Sequence, residues 1–264
     1  MAQRIPLRKK NAKNVMPLLP PELTQEGTSY AFLGPKIRKS PRAIATRRFY
    51  SLERRFERDP ALKQTYHAYI EEYLRLGHMQ KLDVVDDEIP HCYLPHHPVF
   101  KESSTTTKVR VVFDASCKTS SGISLNDTLL VGPVMQQDLV TITIRFRFHV
   151  IAFVADVEKM YRQVFHFPID QHFLRIVFRR NPTDPLDTYE LLTITYGTAS
   201  APFLATRTLQ QLAKDEGDKY PEAVEAVVED FYVDDLLSGA DNLESTIEII
   251  VAKLLLCSRQ PVFR

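Results

Sequence analysis

The sequence predicts an α+β fold. Apolar residues recur at helical spacing over residues 45–82 and 242–256, and short strand-like runs bounded by turn residues fill much of 91–195. The two kinds of segment alternate without the regular rhythm of βαβ units, which points away from a doubly wound parallel sheet. Hydrophobic residues make up 44% and charged residues 25% of the 264. That balance supplies a core and excludes wholesale disorder.

Residues 1–44 are basic and proline-bearing with little periodicity, and read as a linker or extended arm. Phe49, Leu52 and Phe56 then share one helical face, and after Asp59-Pro60 a second helix carries Leu62, Tyr66, Tyr69, Ile70 and Tyr73, with Gly77 as its C-cap. Strands are expected at 91–100 and 109–113, joined by the polar segment 101–108 as a hairpin. Past the Gly132-Pro133 turn, a helix is expected over 136–146, strands at 150–155 and 174–178, and a proline-rich turn at 181–187. A short strand follows at 191–195. Pro202 opens a helix through Phe203, Leu204, Thr208, Leu209 and Leu212. Apolar runs at 227–233 and 236–238 flank an acidic turn, and an amphipathic helix closes the pattern at 242–256.

The net charge of +1 hides an asymmetry: residues 1–60 carry +9 and the remainder −8. A basic arm of this kind either neutralises nucleic-acid phosphates or is simply a solvated segment. No stretch reaches the roughly 18 apolar residues that cross a bilayer, and the basic start lacks the apolar core of a secretory signal. Cys92, Cys117 and Cys257 are far apart with no zinc or disulfide spacing, which suits a reducing, cytoplasmic setting.

Two acidic sites carry the chemistry. Asp156 ends the run Phe-Val-Ala-Asp at 153–156, and Asp234 and Asp235 lie in Phe-Tyr-Val-Asp-Asp-Leu-Leu at 231–237. A buried strand that ends in a carboxylate carries charge to a sheet rim, where a cation or partner must offset it. Mg²⁺ takes hard oxygen ligands and keeps waters, so a few carboxylates suffice. Standing alone, an Asp-Asp pair is equally a solvated turn. Lys108 and Arg110 share one face of a strand beside a hydroxyl-rich loop, which either clamps a triphosphate or is a soluble hairpin tip. Tyr196-Gly197 opens a small-residue stretch before a helix N-terminus, a place for close backbone approach or merely a proline-started helix.

Taken in order, these segments resemble the reverse transcriptases of retrotransposons, nearest the BEL/Pao group of long-terminal-repeat elements. The resemblance rests on Tyr-Leu-Pro-His-His-Pro-Val at 93–99, Lys-Val-Arg-Val-Val-Phe-Asp-Ala-Ser at 108–116, Ser-Leu-Asn-Asp at 124–127 and Gly132-Pro133. It continues in Ala-Asp-Val-Glu-Lys-Met-Tyr-Arg-Gln at 155–163, Tyr-Gly-Thr-Ala at 196–199 with Ala201-Pro202, and Asp-Phe-Tyr-Val-Asp-Asp-Leu-Leu at 230–237. It implies a right-hand polymerase: an antiparallel palm sheet with helices on one face, plus fingers. On that reading residues 45–149 are fingers and the start of the palm, and 150–256 the catalytic palm. Residues 257–264 are a tail unlike the family's continuation, so the thumb is expected to be missing.

The resemblance further implies that Asp156, Asp234, Asp235 and the Val157 carbonyl hold two Mg²⁺ or Mn²⁺ ions. Lys108 and Arg110 would meet the phosphates of a deoxynucleoside triphosphate. Tyr161 would pack beneath its sugar and obstruct a ribose 2′-hydroxyl, with Tyr196 and Gly197 lining the pocket. The partners would be an RNA or DNA template with its primer, in the cytoplasm or inside virus-like particles. The alternative is an inactive transposon-derived fragment that binds nucleic acid or protein. Another palm enzyme, such as an RNA-dependent RNA polymerase or a nucleotide cyclase, is a third reading. His96 and His97 are expected to be strand-adjacent polar residues, Glu158 and Lys159 surface residues of a turn, and Asp114 an orienting group for the basic hairpin. Phe146 and Phe148 are expected to pack, with base stacking as the other possibility.

Overall fold

The computed structural model describes residues 42–100 and 109–258, which form two compact units built from interleaved segments. The first unit holds the described residues up to Val131 together with Phe165–Ala201; the second holds Gly132–Val164 and the chain from Pro202. The expected hairpin tip at 101–108, the basic arm through residue 41 and the tail at 259–264 lie outside the described residues.

In the first unit, helix α1 (Arg42–Arg58) buries Ala45, Phe49, Leu52 and Phe56, one stripe of a 3.6-residue period. Helix α2 (Pro60–Arg75) begins where the Asp59 carboxylate accepts the Leu62 amide at 2.9 Å, with Pro60 at the first helical position. It ends in a Schellman motif: the His78 amide donates to the Tyr73 carbonyl at 2.9 Å, and the Gly77 amide to Leu74 at 3.0 Å. Gly77 has φ +66°, so the expected C-cap glycine stands just past the helix.

Two antiparallel sheets meet these helices. Strands β2 (His96–Phe100) and β3 (Val109–Phe113) pair as a hairpin. β1 (Met79–Lys81), β5 (Arg175–Phe178) and β6 (Asp187–Leu191) form a three-stranded sheet with β6 in the centre. The strand expected at 191–195 therefore lies upstream. The Asp187 carboxylate meets Lys81 Nζ at 2.7 Å, and Asp187 pairs with Phe178, which draws the end of the proline turn into the ladder. A four-residue helix, α4 (Pro168–Gln171), precedes β5.

Some buried polar groups of this unit are paired across strands. Arg175, 1% exposed, donates from Nε to Glu190 Oε1 at 3.1 Å, directly opposite in the β5–β6 register. His172 Nδ1 meets the same oxygen at 2.8 Å. His96 is buried between the Tyr66 hydroxyl at Nδ1 and the Val177 carbonyl, which accepts from Nε2 at 2.9 Å. Burial lowers its pKa to about 4, so it is a neutral core residue within β2 and no metal ligand in this arrangement.

The second unit is one antiparallel sheet with helices. Strand β4 (Ile151–Asp156) pairs with β8 (Asp235–Ala240), which pairs in turn with the two-residue β7 (Phe231–Tyr232). Helices α5 (Ala201–Glu216) and α6 (Pro221–Glu229) send Ala205, Leu209, Leu212, Ala213, Ala223 and Val227 into one core with Phe231 and Leu236 of the sheet. Helix α7 (Leu243–Ser258) follows β8. The apolar run at 227–233 thus divides: its first part completes α6, and only Phe231 and Tyr232 enter the sheet.

Helix α3 (Leu139–Phe148) is capped by the Asp138 carboxylate, which accepts the Val140 amide at 2.8 Å. It starts three residues later than expected. Packing was expected of Phe148, but its ring is 81% exposed, because only Ile142 of this helix faces a core; Phe146 is half-buried. Among the described residues no helix is long and apolar enough to cross a membrane.

Candidate functional site

The three aspartates meet at one end of the second sheet. In the β4–β8 register Asp156 stands opposite Asp235. The Val157 amide donates to the Asp234 carbonyl at 3.0 Å, which makes 157 and 234 the hydrogen-bonded pair. Asp156 and Asp235 are therefore a non-hydrogen-bonded pair, the kind in which side chains come closer, with Cβ atoms about 4.5–5.5 Å apart. Like charges directly opposite one another repel, and a cation between them offsets that repulsion.

The β7–β8 turn is two residues long, Val233-Asp234, with Tyr232 paired to Asp235. Val233 has φ +58°, a left-handed conformation that a β-branched residue rarely takes and that costs about 1–2 kcal/mol. Lys159, three residues after Asp156, has φ +55°. Among the described residues these are the two non-glycine positions with positive φ, and both flank the carboxylates. Strain held in that way concentrates where function fixes the backbone.

Electrostatics separate the groups. Burial first, and then the neighbouring Asp234, raise the Asp235 carboxyl above the usual carboxylate range. The Tyr161 phenol is also raised, by burial and then by Asp234. Tyr161 sits in a 3₁₀ turn, Met160–Gln163, half-buried against the core beneath the sheet. The Val157 carbonyl already accepts the Met160 amide at 3.2 Å and keeps a second lone pair. Hard oxygen donors thus gather here, although among the described residues no three His, Cys, Asp or Glu side chains stand close enough to hold a metal ion as placed. The strand leading to Asp156 was expected to be buried. It is open on one side: Val154 is 55% exposed, and Phe153 alternates inward to the core.

The other candidate residues belong to the first unit. Arg110 points outward from β3, opposite Val99. Gly197 has φ +108°, and a Cβ there would lie 2.2 Å from the Phe113 carbonyl, so the chain demands glycine at that point for packing alone. Tyr196 is half-buried in the same loop. Lys108 lies outside the described residues. Asp114 was expected to orient the basic hairpin; its carboxylate meets Arg48 of α1 at 3.4 Å.

No protein-family model matches the chain, and no curated protein sequence does. Solved structures do. The foamy viral protease–reverse transcriptase in complex with double-stranded DNA is similar over 74% of this chain and 29% of its own, at 20% identity and a TM-score of 0.53. The fold is reverse-transcriptase-like. A mutant of the prototype foamy virus protease–reverse transcriptase gives the same TM-score at 17% identity, over 76% of this chain and 23% of that one. The chain spans less than a third of the length of either.

Within this reverse-transcriptase-like fold, the motif reading missed several residues that hold the loops. Asn126, in the Ser-Leu-Asn-Asp run, donates to the Gly197 carbonyl at 2.9 Å and accepts the Ala199 amide at 2.8 Å. Arg145 of α3 donates from Nε to Asp230 at 2.9 Å and from Nη2 to the Glu229 carbonyl, gripping the start of the aspartate hairpin. Gln136 accepts the Val233 amide at 3.0 Å. Only Asn126 had a sequence signal, an asparagine four residues past Gly122 in a loop.

Proposed function

We propose that the chain is the polymerase module of a reverse transcriptase, an RNA-directed DNA polymerase of the BEL/Pao retrotransposon type. The observation that carries the reading is the register of Asp156 against Asp235, with Asp234 in the adjoining turn. Asp156 and the Asp234-Asp235 pair, 78 residues apart in sequence, become neighbours at one strand end. The reverse-transcriptase-like fold supports the same reading.

In this account Asp156, Asp234, Asp235 and the free lone pair of the Val157 carbonyl hold two Mg²⁺ or Mn²⁺ ions. When bound, the ions would supply activation of a primer 3′-hydroxyl and stabilisation of the leaving pyrophosphate. The opposed carboxylates fit that task, because positive charge between them would offset their mutual repulsion. The strained turn fixes the backbone from which Asp234 and Asp235 would turn their oxygens onto the ions. Tyr161, half-buried against the core near Asp234, would pack beneath the sugar and obstruct a ribose 2′-hydroxyl. Lys108 and Arg110 would bind the triphosphate with charge-assisted hydrogen bonds, and Tyr196 and Gly197 would line the nucleotide pocket. The partners are template, primer and deoxynucleoside triphosphates, in the cytoplasm.

Primer extension with Mg²⁺ or Mn²⁺ tests this. The wild-type chain is expected to extend a primer on an RNA template, and an Asp234→Asn, Asp235→Asn double variant is not. Tyr161→Ala is expected to extend with ribonucleotides that the wild type rejects. Extension that survives in the double variant would remove the proposal.

A further inference from the structure

The turn that carries Asp234 is held from outside its own sheet. Its first residue, Val233, keeps a left-handed backbone with φ +58°, and its amide donates to a side chain outside the hairpin. A buried or half-buried backbone N–H needs an acceptor. Gln136 provides one, its Oε1 lying 3.0 Å from the Val233 nitrogen. Because the backbone group can only donate, the side-chain amide must present its oxygen here.

Gln136 is itself held. It lies in the segment 132–138 that leads into α3, and the neighbouring Met135 carbonyl accepts a hydrogen bond from Gln210 of α5. At the start of the segment Gly132 sits so close to the Phe203 ring of α5 that a Cβ would fall 2.3 Å from it. At the segment's end Asp138 caps α3. Met135, Gln136, Gln210 and Val233 line one groove together with Phe231. A path of direct contacts therefore runs from α5 through the 132–138 segment to the aspartate turn.

We infer that Gln136 is a positioning residue for the aspartates: its carbonyl oxygen holds Val233 in the left-handed conformation that sets the Asp234-Asp235 turn. The inference deepens the polymerase reading and rests on it for its functional meaning, while its structural claim stands by itself. Gln136 touches no reacting group, so it acts only through the turn. Removing its acceptor lets Val233 relax toward ordinary backbone angles, which moves Asp234 relative to Asp235 and Asp156 without altering any carboxylate.

The test compares wild type, Gln136→Leu, which keeps much of the bulk and loses the acceptor, and Gln136→Glu, which keeps length and acceptor. Amide hydrogen exchange by NMR on the full chain reads the Val233 N–H directly, with the β4 amides at 151–155 as the control that the sheet is intact. Gln136→Leu is expected to speed Val233 exchange at least tenfold while the β4 amides keep their protection, and Gln136→Glu is expected to retain protection at Val233. Calorimetric Mn²⁺ titration is expected to show weaker binding in Gln136→Leu, and primer extension a lower kcat with an unchanged KM for nucleotide. Equal Val233 exchange in all three proteins would overturn the inference. Loss of β4 protection in Gln136→Leu would overturn it too, because the residue would then support the sheet and not the turn. A wild type that extends no primer while the exchange pattern holds would count against the polymerase reading alone.

Discussion

Replacing Asp235 with asparagine removes one negative charge and keeps the side chain's shape. Asp235 faces Asp156 across the strands and follows Asp234 in the chain. Opposed side chains have Cβ atoms about 5 Å apart, and two unit charges at such a spacing repel by about 3 kcal/mol at an effective dielectric of 20 and by about 1 kcal/mol in bulk water. Both Asp156 and Asp235 are exposed, so the value near the water limit applies, and added salt lowers it further. Asp235→Asn is therefore expected to stabilise the metal-free protein by about 1 kcal/mol at low ionic strength, a rise in Tm of about 2–4 °C for a chain of this size. Saturating Mg²⁺ reverses the order. The wild type gains stability by mass action, and the variant, short of one ligand, gains little. Differential scanning calorimetry at pH 7 in low salt, with chelator and then with Mg²⁺, reads both effects. A lower Tm for the variant in chelator would refute the opposed-carboxylate reasoning, as would an equal Mg²⁺ increment in both proteins.

Three further outcomes are expected. Arg145→Met strips the partner from Asp230, whose side chain is 9% exposed, and should cost about 2 kcal/mol in urea denaturation; an unchanged midpoint would show the pair to be dispensable. Gly197→Ala should cost about 2 kcal/mol or more, because it combines φ +108° with a contact on the Phe113 carbonyl, and wild-type stability in that variant would mean that the loop moves freely. His96 and His166 are both lowered from 6.5 to about 4 by burial, so between those values the unfolded chain binds more protons. Their stabilisation is full above pH 6.5 and fades as pH falls toward 4, by up to about 3 kcal/mol each. Urea midpoints that stay flat from pH 7 to 4.5 would contradict this.

The parts of the fold legible in the sequence are those set within a few residues. Asp59-Pro60 and Gly77 mark helix ends because a cap and a left-handed residue act locally, and the 49-52-56 stripe needs only the helical period. The two acidic runs stand out as candidate sites for the same reason: an apolar run ending in a carboxylate is read within a few residues. Their register was not legible, since the pairing of Asp156 with Asp235 is fixed by a ladder closed across 79 residues. The run at 227–233 shows the opposite failure. Its valines suit a strand, but Pro221 starts a helix and the core beneath the sheet accepts Ala223 and Val227 at helical spacing. Gln136 had no signal at all, because a glutamine's long-range hydrogen bond leaves no periodicity to read. Gly197 carried a signal with two meanings: the chain needs glycine there to approach Phe113, whatever ligand it also meets.

Anomalous diffraction from crystals of the chain grown with Mn²⁺ tests whether the opposed aspartates share a metal ion. A manganese peak is expected within coordination distance of both the Asp156 and the Asp235 carboxylates, and no such peak in an Asp156→Asn crystal. Manganese bound elsewhere, with the two carboxylates turned apart, would contradict it.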